Sequence, residues 1–437
     1  MSGSTLAWIA QRGQPLRGTC RVPGDKSVSH RAVMLGALAD GITEVHGFLE
    51  GEDTLATARA FAAMGVRIDA PSDGVRLIHG VGLHGLHAPD APIDCGNAGT
   101  GMRLLAGVLA GQSFDTTLIG DASLSKRPMR RVTDPLASMG AHIDTLDGLP
   151  PLHVRGGRPL RGIDIDLQVA SAQVKSAILL AGLYAQGVTT VREPHPTRDY
   201  TERMLTAFGW PIDFSPGRAC IDGGHHLRGT RIDVPADFSS AAFVIVAACI
   251  VPGSDLTIEA VGINPRRTGL LHALRAMGAD IALDRERTQG GEPVADIRVR
   301  HAALRGIEVD TAWVPDMIDE FPALFVAAAC AHGATVVRGA AELRVKESDR
   351  IAAMARGLQS LGIHVDETPD GATITGGRLQ GGVIDSVGDH RIAMSFVVAA
   401  QVADGAVRID DVANVATSFP DFDALMRELG AGIEPAR

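Results

Sequence analysis

A chain of 437 residues, 45% hydrophobic and 21% charged, has room for two or three domains with large cores and the balance of an ordinary globular protein. Its net charge of −10 argues against a general nucleic-acid surface, and 2 Tyr and 3 Trp are too few for a base-stacking platform. Five scattered cysteines (Cys20, Cys95, Cys220, Cys249, Cys330) lack zinc or redox spacing and read as small buried hydrophobes in a reducing compartment.

Along the chain, Met1 to Gln14 has no basic region followed by a long apolar run, so no signal peptide is expected. The longest apolar stretch, Ala241 to Val251, is too short to span a bilayer. A cytoplasmic protein is expected, with no nucleic-acid or membrane partner. A hydrophobic helix end, a glycine and a strand start then recur six times: Met64-Gly65, Met139-Gly140, Phe208-Gly209, Met277-Gly278, Leu361-Gly362 and Leu429-Gly430. These glycines lie 75, 69, 69, 84 and 68 residues apart. Each predicts a helix closed by a left-handed glycine. Upstream of each, a small polar cluster opens an Ala-rich apolar helix that runs past a Gly into an alternating strand, as at Gly41, Gly187, Gly333 and Gly405. The predicted α/β unit is strand, helix, strand, helix, strand, strand, written six times.

The first helix of each unit is apolar nearly all round and should be buried. Its polar residues gather at the N-terminus. They are Asp25-Lys26-Ser27 with Ser29-His30-Arg31, Asn97-Ala98-Gly99-Thr100, Ser171-Ala172-Gln173, Asp237-Phe238-Ser239-Ser240, Asp319-Glu320 and Asp389-His390-Arg391. Such ends offer unpaired N–H groups and partial positive charge to anions. Plain N-capping accounts for any one Ser, Asp or Asn, but not for the Lys, Arg and Gln beside them. Only four lysines stand against 37 arginines: Lys26, Lys126, Lys175 and Lys346, all in or beside polar clusters. A retained lysine suggests a compact or titratable charge. For Lys126 and Lys175 a solvated surface charge is an equal reading. Further clusters precede the second helices: Lys126 to Arg130, Thr197-Arg198-Asp199, and Arg344 to Arg350. In the last, Lys346 and Arg350 at four apart would share a helix face, although an ion-paired helix start is the usual explanation of such a charge run.

These motifs resemble those of the 3-phosphoshikimate 1-carboxyvinyltransferases, the enolpyruvyl-shikimate-phosphate synthases, along nearly the whole chain. They are Gly24 to Arg31, Gly96 to Arg103, Ser171 to Ser176, Arg344 to Arg350 and Asp389 to Met394. Ser171-Ala172-Gln173 and Arg127-Pro128 look more like the bacterial subgroup that includes glyphosate-tolerant members. The resemblance implies an inside-out α/β barrel, the enolpyruvyl transferase fold: two similar domains, each of three repeated βαβαββ units, joined by two crossing strands and closing over substrate. It implies boundaries of 1–23 plus 238–437 against 24–237. It implies that Lys26, Ser27, Arg31, Ser171, Ala172, Gln173, Arg198, Asp319 and Lys346 bind shikimate 3-phosphate. Lys26, Gly99, Arg127, Gln173, Arg350 and Arg391 would bind phosphoenolpyruvate. Asp319 is implied as the base for the 5-hydroxyl, with Lys346 beside that hydroxyl, Lys26 near the reacting groups and Glu347 a candidate proton donor to carbon. Three departures stand out. Ala172 replaces a second serine, with Arg198 expected to supply charge instead. Ala416 to Pro420 lacks the lysine that many members carry before Phe-Pro, and Leu104 stands where many have proline.

The chemistry fits these residue types. A hydroxyl attacks C2 of an enol ether, C3 gains a proton, and phosphate then leaves. Two anionic substrates need Arg and Lys clamps and helix dipoles, one carboxylate can take a proton, and no step needs a metal or an organic cofactor. Glyphosate is expected to compete with phosphoenolpyruvate. Because Gly99 has no Cβ, room is expected beside the phosphate, so Gly99→Ala should weaken inhibition more than activity. Rival readings are the sister transferase acting on UDP-N-acetylglucosamine, which would normally show a reactive loop cysteine, a non-catalytic anion binder, and a relative of the RNA 3′-phosphate cyclases. A monomer is expected, since nothing marks an interface.

Overall fold

The computed structural model describes residues 6–436. It divides into two compact units. A terminal unit holds the described residues up to Pro23, Ala236–Arg287 and those from Pro293 on, while a middle unit holds Gly24–Pro235 and Thr288–Glu292. The division thus falls two residues before the expected position 237, and one hairpin tip joins the middle unit.

The α-helices of the described residues are α1 Lys26–Leu38, α2 Glu52–Ala63, α3 Gly99–Ala110, α4 Arg130–Ser138, α5 Ala172–Gly182, α6 Tyr200–Ala207, α7 Phe238–Ile250, α8 Gly269–Ala276, α9 Phe321–Ala329, α10 Arg350–Ser360, α11 His390–Ala400 and α12 Phe422–Glu428. The odd-numbered helices are the Ala-rich apolar ones. Every residue of α7, α9 and α11 is buried, as are Val28–Leu38 of α1. A helix apolar on all sides is stable only when surrounded, so α1, α3 and α5 form the centre of the middle unit and α7, α9 and α11 that of the terminal unit. The even-numbered helices end as the spacing predicts. Gly65, Gly140, Gly209, Gly278, Gly362 and Gly430 all have positive φ, between 80° and 110°. The residue after each glycine donates back across the turn, from Val66 to Phe61, Ala141 to Leu136, Trp210 to Leu205, Ala279 to Leu274, Ile363 to Leu358 and Ala431 to Met426. This is a Schellman closure repeated six times, and it turns the chain at once into the next strand.

Each unit is wrapped in three open sheets. In two of the middle unit's sheets, one contiguous stretch supplies all four strands. Ile93–Asp94 pairs in parallel with Thr116–Ile119, followed by antiparallel Leu149–Arg155 and His142–Leu146. Asp164–Asp166, Val188–Arg192, Arg218–Asp222 and Ile212–Ser215 repeat that order. The parallel pair spans the buried helix, because parallel neighbours need a crossover. Elsewhere the predicted contiguous unit is broken. Asp40–His46, Val75–Val81 and Arg67–Asp69 take their parallel strand, Arg231–Asp233, from the far end of the unit. In the terminal unit, Asp255–Gly262 pairs with Arg17–Cys20. The last sheet, Gln380–Asp385, Asp404–Asp410 and Gly432–Pro435, is completed by Ala7–Gln11. Around Ala334–Val337, Gly371–Thr375 and His364–Thr368 the first strand reduces to bridges at Arg305 and Glu308.

Candidate active-site residues

In the middle unit, Asp25 caps α1 by accepting from the Val28 N–H at 2.9 Å. That cap places Lys26 and Ser27 on the first turn. Lys26 Nζ lies 3.0 Å from Asp53, a buried carboxylate on the first turn of α2. Arg31 follows one turn after Ser27. Its Nε donates to the Thr201 hydroxyl (2.7 Å), Nη1 to the Ser27 carbonyl (2.9 Å) and Nη2 to the Ser176 hydroxyl (2.9 Å). Burial, and then the positive charge of Arg198, lower its pKa to about 10. The guanidinium is therefore still a cation at neutral pH, fixed in position with two of its five N–H groups uncommitted to these partners. His30 is fully buried against Thr57, and burial lowers its pKa to about 3, so it stays neutral and carries no anion-binding charge.

Gly99 opens α3 after Ala98, which provides no side-chain cap. The space beside it is already filled. A Cβ built on Gly99 would sit 2.8 Å from Arg127 Nη1, so the expected room is occupied by a guanidinium. Arg127 Nη2 donates to the Asn97 amide oxygen at 2.7 Å, and Asn97 in turn donates to Asp121 at 2.7 Å. Ser171 caps α5 through a long 3.5 Å bond from the Val174 N–H. Buried Ala172 follows, and Gln173 then reaches back to α3, donating to Thr100 at 2.9 Å and accepting from Arg103. Lys175, read equally as a surface charge, is instead buried between Glu193 and Glu202, because its helix is enclosed on all sides.

In the terminal unit, Arg350 is 1% exposed and gathers three carboxylates. Its Nε lies 2.8 Å from Asp389, Nη2 2.6 Å from Glu347, and Nη1 3.7 Å from Asp319. Burial opposes its charge, but Asp389, Glu347 and Asp319 outweigh it and hold the guanidinium pKa above its ordinary value. Asp389 also accepts from the N–H of Arg391, capping α11, and from the Ser348 hydroxyl at 3.0 Å. Lys346 Nζ lies 3.4 Å from Asp319. The expected shared helix face of Lys346 and Arg350 does not exist. Helix α10 begins only at Arg350, capped by Asp349, and Lys346 precedes it in extended conformation. The two cations are neighbours through Asp319 instead. Arg391 Nη1 donates to the Asp319 carbonyl at 3.0 Å and lies 3.9 Å from Glu320. Glu320 is buried and accepts from Ser239, which Arg267 holds at 2.6 Å. Burial raises the Glu320 pKa against the pull of Arg267.

Asp53, Asp121 and Arg267 were missed by sequence reasoning, and Arg103 was given no role within its motif. Each meets its partner across at least 24 residues, and an isolated charge on a helix or loop gives no local signal. Cys95 is buried, and burial pushes its thiol up to about 12, which makes it inert as a nucleophile. Among the described residues no helix is long and apolar enough to cross a membrane.

Each unit thus presents buried helix N-termini bearing fixed cations, and the terminal unit adds a carboxylate beside two of them. Comparison with known proteins gives this arrangement a place. The family model for EPSP synthase (3-phosphoshikimate 1-carboxyvinyltransferase) matches residues 10–426. A 3-phosphoshikimate 1-carboxyvinyltransferase of Xanthomonas axonopodis pv. citri is 68% identical, covering 100% of this chain and 99% of its own. One from Xanthomonas campestris pv. campestris is 69% identical over 434 residues, 99% of each chain. The structure of EPSP synthase from Acinetobacter baumannii superposes with TM-score 0.90 at 53% identity, covering 99% of this chain and 100% of that one. The enolpyruvyl transferase NikO of Streptomyces tendae shares the fold at 20% identity and TM-score 0.81, covering 99% of both chains. The chain belongs to the EPSP synthase family.

Proposed function

We propose that the protein transfers the enolpyruvyl group of phosphoenolpyruvate to the 5-hydroxyl of shikimate 3-phosphate and releases phosphate by addition and elimination. The observation that carries this reading is Asp319, a carboxylate set 3.4 Å from Lys346 and 3.7 Å from Arg350. Family membership supports the same activity. On the middle unit, Lys26, Ser27, Arg31, Ser171, Gln173 and Arg198 hold shikimate 3-phosphate, and the Ala172 methyl contributes only packing. Lys26, Gly99, Arg127 and Gln173 face phosphoenolpyruvate. On the terminal unit, Asp319 takes the hydroxyl proton, Lys346 lies by that hydroxyl, and Arg350 and Arg391 clamp phosphoenolpyruvate. Fork-shaped guanidinium groups suit its carboxylate and phosphate, and held in place they need little reorganisation as charge shifts. The protein acts as a monomer in the cytoplasm, and it resembles the glyphosate-tolerant subgroup through Ser171-Ala172-Gln173. The test is phosphate release by the purified protein from phosphoenolpyruvate, with and without shikimate 3-phosphate, in parallel with UDP-N-acetylglucosamine. Release that requires shikimate 3-phosphate is expected. Release only with the sugar nucleotide transfers the protein to the sister activity, and silence with both leaves an anion binder.

Glu347 is the proposed acid for the methylene carbon. Its partner Arg350 lies 2.6 Å away. Phosphoenolpyruvate arriving at Arg350 would compete with Glu347 for that guanidinium. Glu347→Gln is expected to lower kcat by about 10²-fold or more, with little change in KM for shikimate 3-phosphate. Near-normal turnover would pass the role to Lys346.

Gly99→Ala acts through Arg127. The added methyl must move a guanidinium from 2.8 Å, which a flexible side chain can do by a small shift. KM for phosphoenolpyruvate is expected to rise about threefold, and the inhibition constant of glyphosate about tenfold or more, a change of about 1.4 kcal/mol. Paired inhibition constants check this, and equal values in the two proteins would refute it.

A further inference from the structure

We propose that Lys175, which lies outside the substrate-contacting set, is a positioning residue that fixes the Arg198 loop and thereby sets affinity for the substrate phosphate; this rests on reading Arg198 as a phosphate ligand. Lys175 is only 3% exposed, and its Nζ lies 2.8 Å from both Glu193 Oε2 and Glu202 Oε1. Glu193 follows the strand Val188–Arg192 and opens the loop to α6. Its carboxylate accepts from the Thr197 N–H at 3.3 Å and from the Thr197 hydroxyl, one residue before Arg198. Pro194 and Pro196 restrict the backbone between these two anchors. Glu202 reaches the same region from α6, and its charge also steadies Arg31. Ser176, next to Lys175, accepts from both Arg31 and Thr201. One lysine thus ties α5, the loop and α6 together beside both arginines. A compact ammonium on a flexible stem turns its rotatable donors to both carboxylates.

Lys175→Met would leave two buried carboxylates unpaired and threatens folding, so the decisive variant is Thr197→Val in the full-length enzyme. KM for shikimate 3-phosphate is expected to rise about three- to tenfold, while kcat and KM for phosphoenolpyruvate stay within about twofold. Thr197→Ser, which keeps the hydroxyl, should restore the wild-type value. Arg198→Ala should raise the same KM, and adding Thr197→Val to it should cost little more, because both act through one contact. If Arg198→Ala raises KM but Thr197→Val does not, the positioning role is wrong and the ligand role stands. If Arg198→Ala leaves KM unchanged, the ligand role itself fails and the proposal with it. A uniform loss across kcat and both KM values in Thr197→Val would mean general damage and also overturn it.

Discussion

Asp319→Ala is expected to lower kcat by about 10²–10⁴-fold, the range spanned by a positioned general base. The carboxylate sits 3.4 Å from Lys346 Nζ and 3.7 Å from Arg350 Nη1, fixed beside two cations. The same neighbours offer a competing role, in which Asp319 only balances charge. The two are separated by where the loss falls. Removing a balancing charge leaves Lys346 and Arg350 more attractive to anions, so substrates would bind as tightly or more tightly and turnover would persist. Removing a base leaves binding intact and stops chemistry. Single-turnover phosphate release with Asp319→Ala and Asp319→Asn, together with direct binding of shikimate 3-phosphate, distinguishes them. Retained turnover in Asp319→Asn would sink the assignment.

Arg350→Met is expected to destabilise the protein by about 3–5 kcal/mol as well as inactivate it, because it strands the buried carboxylate of Asp389. Asp389 is fully buried, 2.8 Å from Arg350 Nε, and has no solvent to replace that cation. Burial works against its charge, but Arg350 outweighs it and holds the Asp389 pKa below the ordinary carboxylate range. The sign of the pH dependence follows. A lowered folded pKa gives stability that is present above the unfolded pKa and lost as pH falls through the folded one. Without Arg350, burial alone raises the Asp389 pKa. The variant's deficit should then be largest near neutral pH and shrink toward acid, where Asp389 is protonated in both proteins. Melting temperatures measured across that range check this. A deficit independent of pH would mean that lost packing, rather than the stranded charge, controls the effect.

The parts of the fold legible in the sequence were those governed by neighbouring residues. A positive φ at Gly65 or Gly278 is a property of a few adjacent residues, and an all-apolar helix such as α7 announces its burial without reference to any partner. Pairings between distant segments were illegible. Nothing local in Ala7–Gln11 or Arg231–Asp233 says which sheet each will complete. The site divides in the same way. Lys26, Asp319 and Arg350 stand at helix starts or in charge clusters that the sequence displays. Whether Lys175 is a surface charge or a buried one depended on Glu193 and Glu202, 18 and 27 residues away, and on a helix packed on every side. What lies beside Gly99 was illegible for a related reason, since its neighbour, Arg127, arrives from another loop.

The borrowed strands bear on synthesis. Ala7–Gln11 leaves the ribosome about four hundred residues ahead of Asp404–Asp410 and Gly432–Pro435, to which it hydrogen-bonds. At typical elongation rates it waits roughly 20–80 s with both edges unpaired. The middle unit, whose last strand is Arg231–Asp233, can close long before then. During that interval the open edge of Ala7–Gln11 is exposed to other chains, and the bulky apolar pair within it, Trp8-Ile9, makes this nascent segment a natural client for a chaperone.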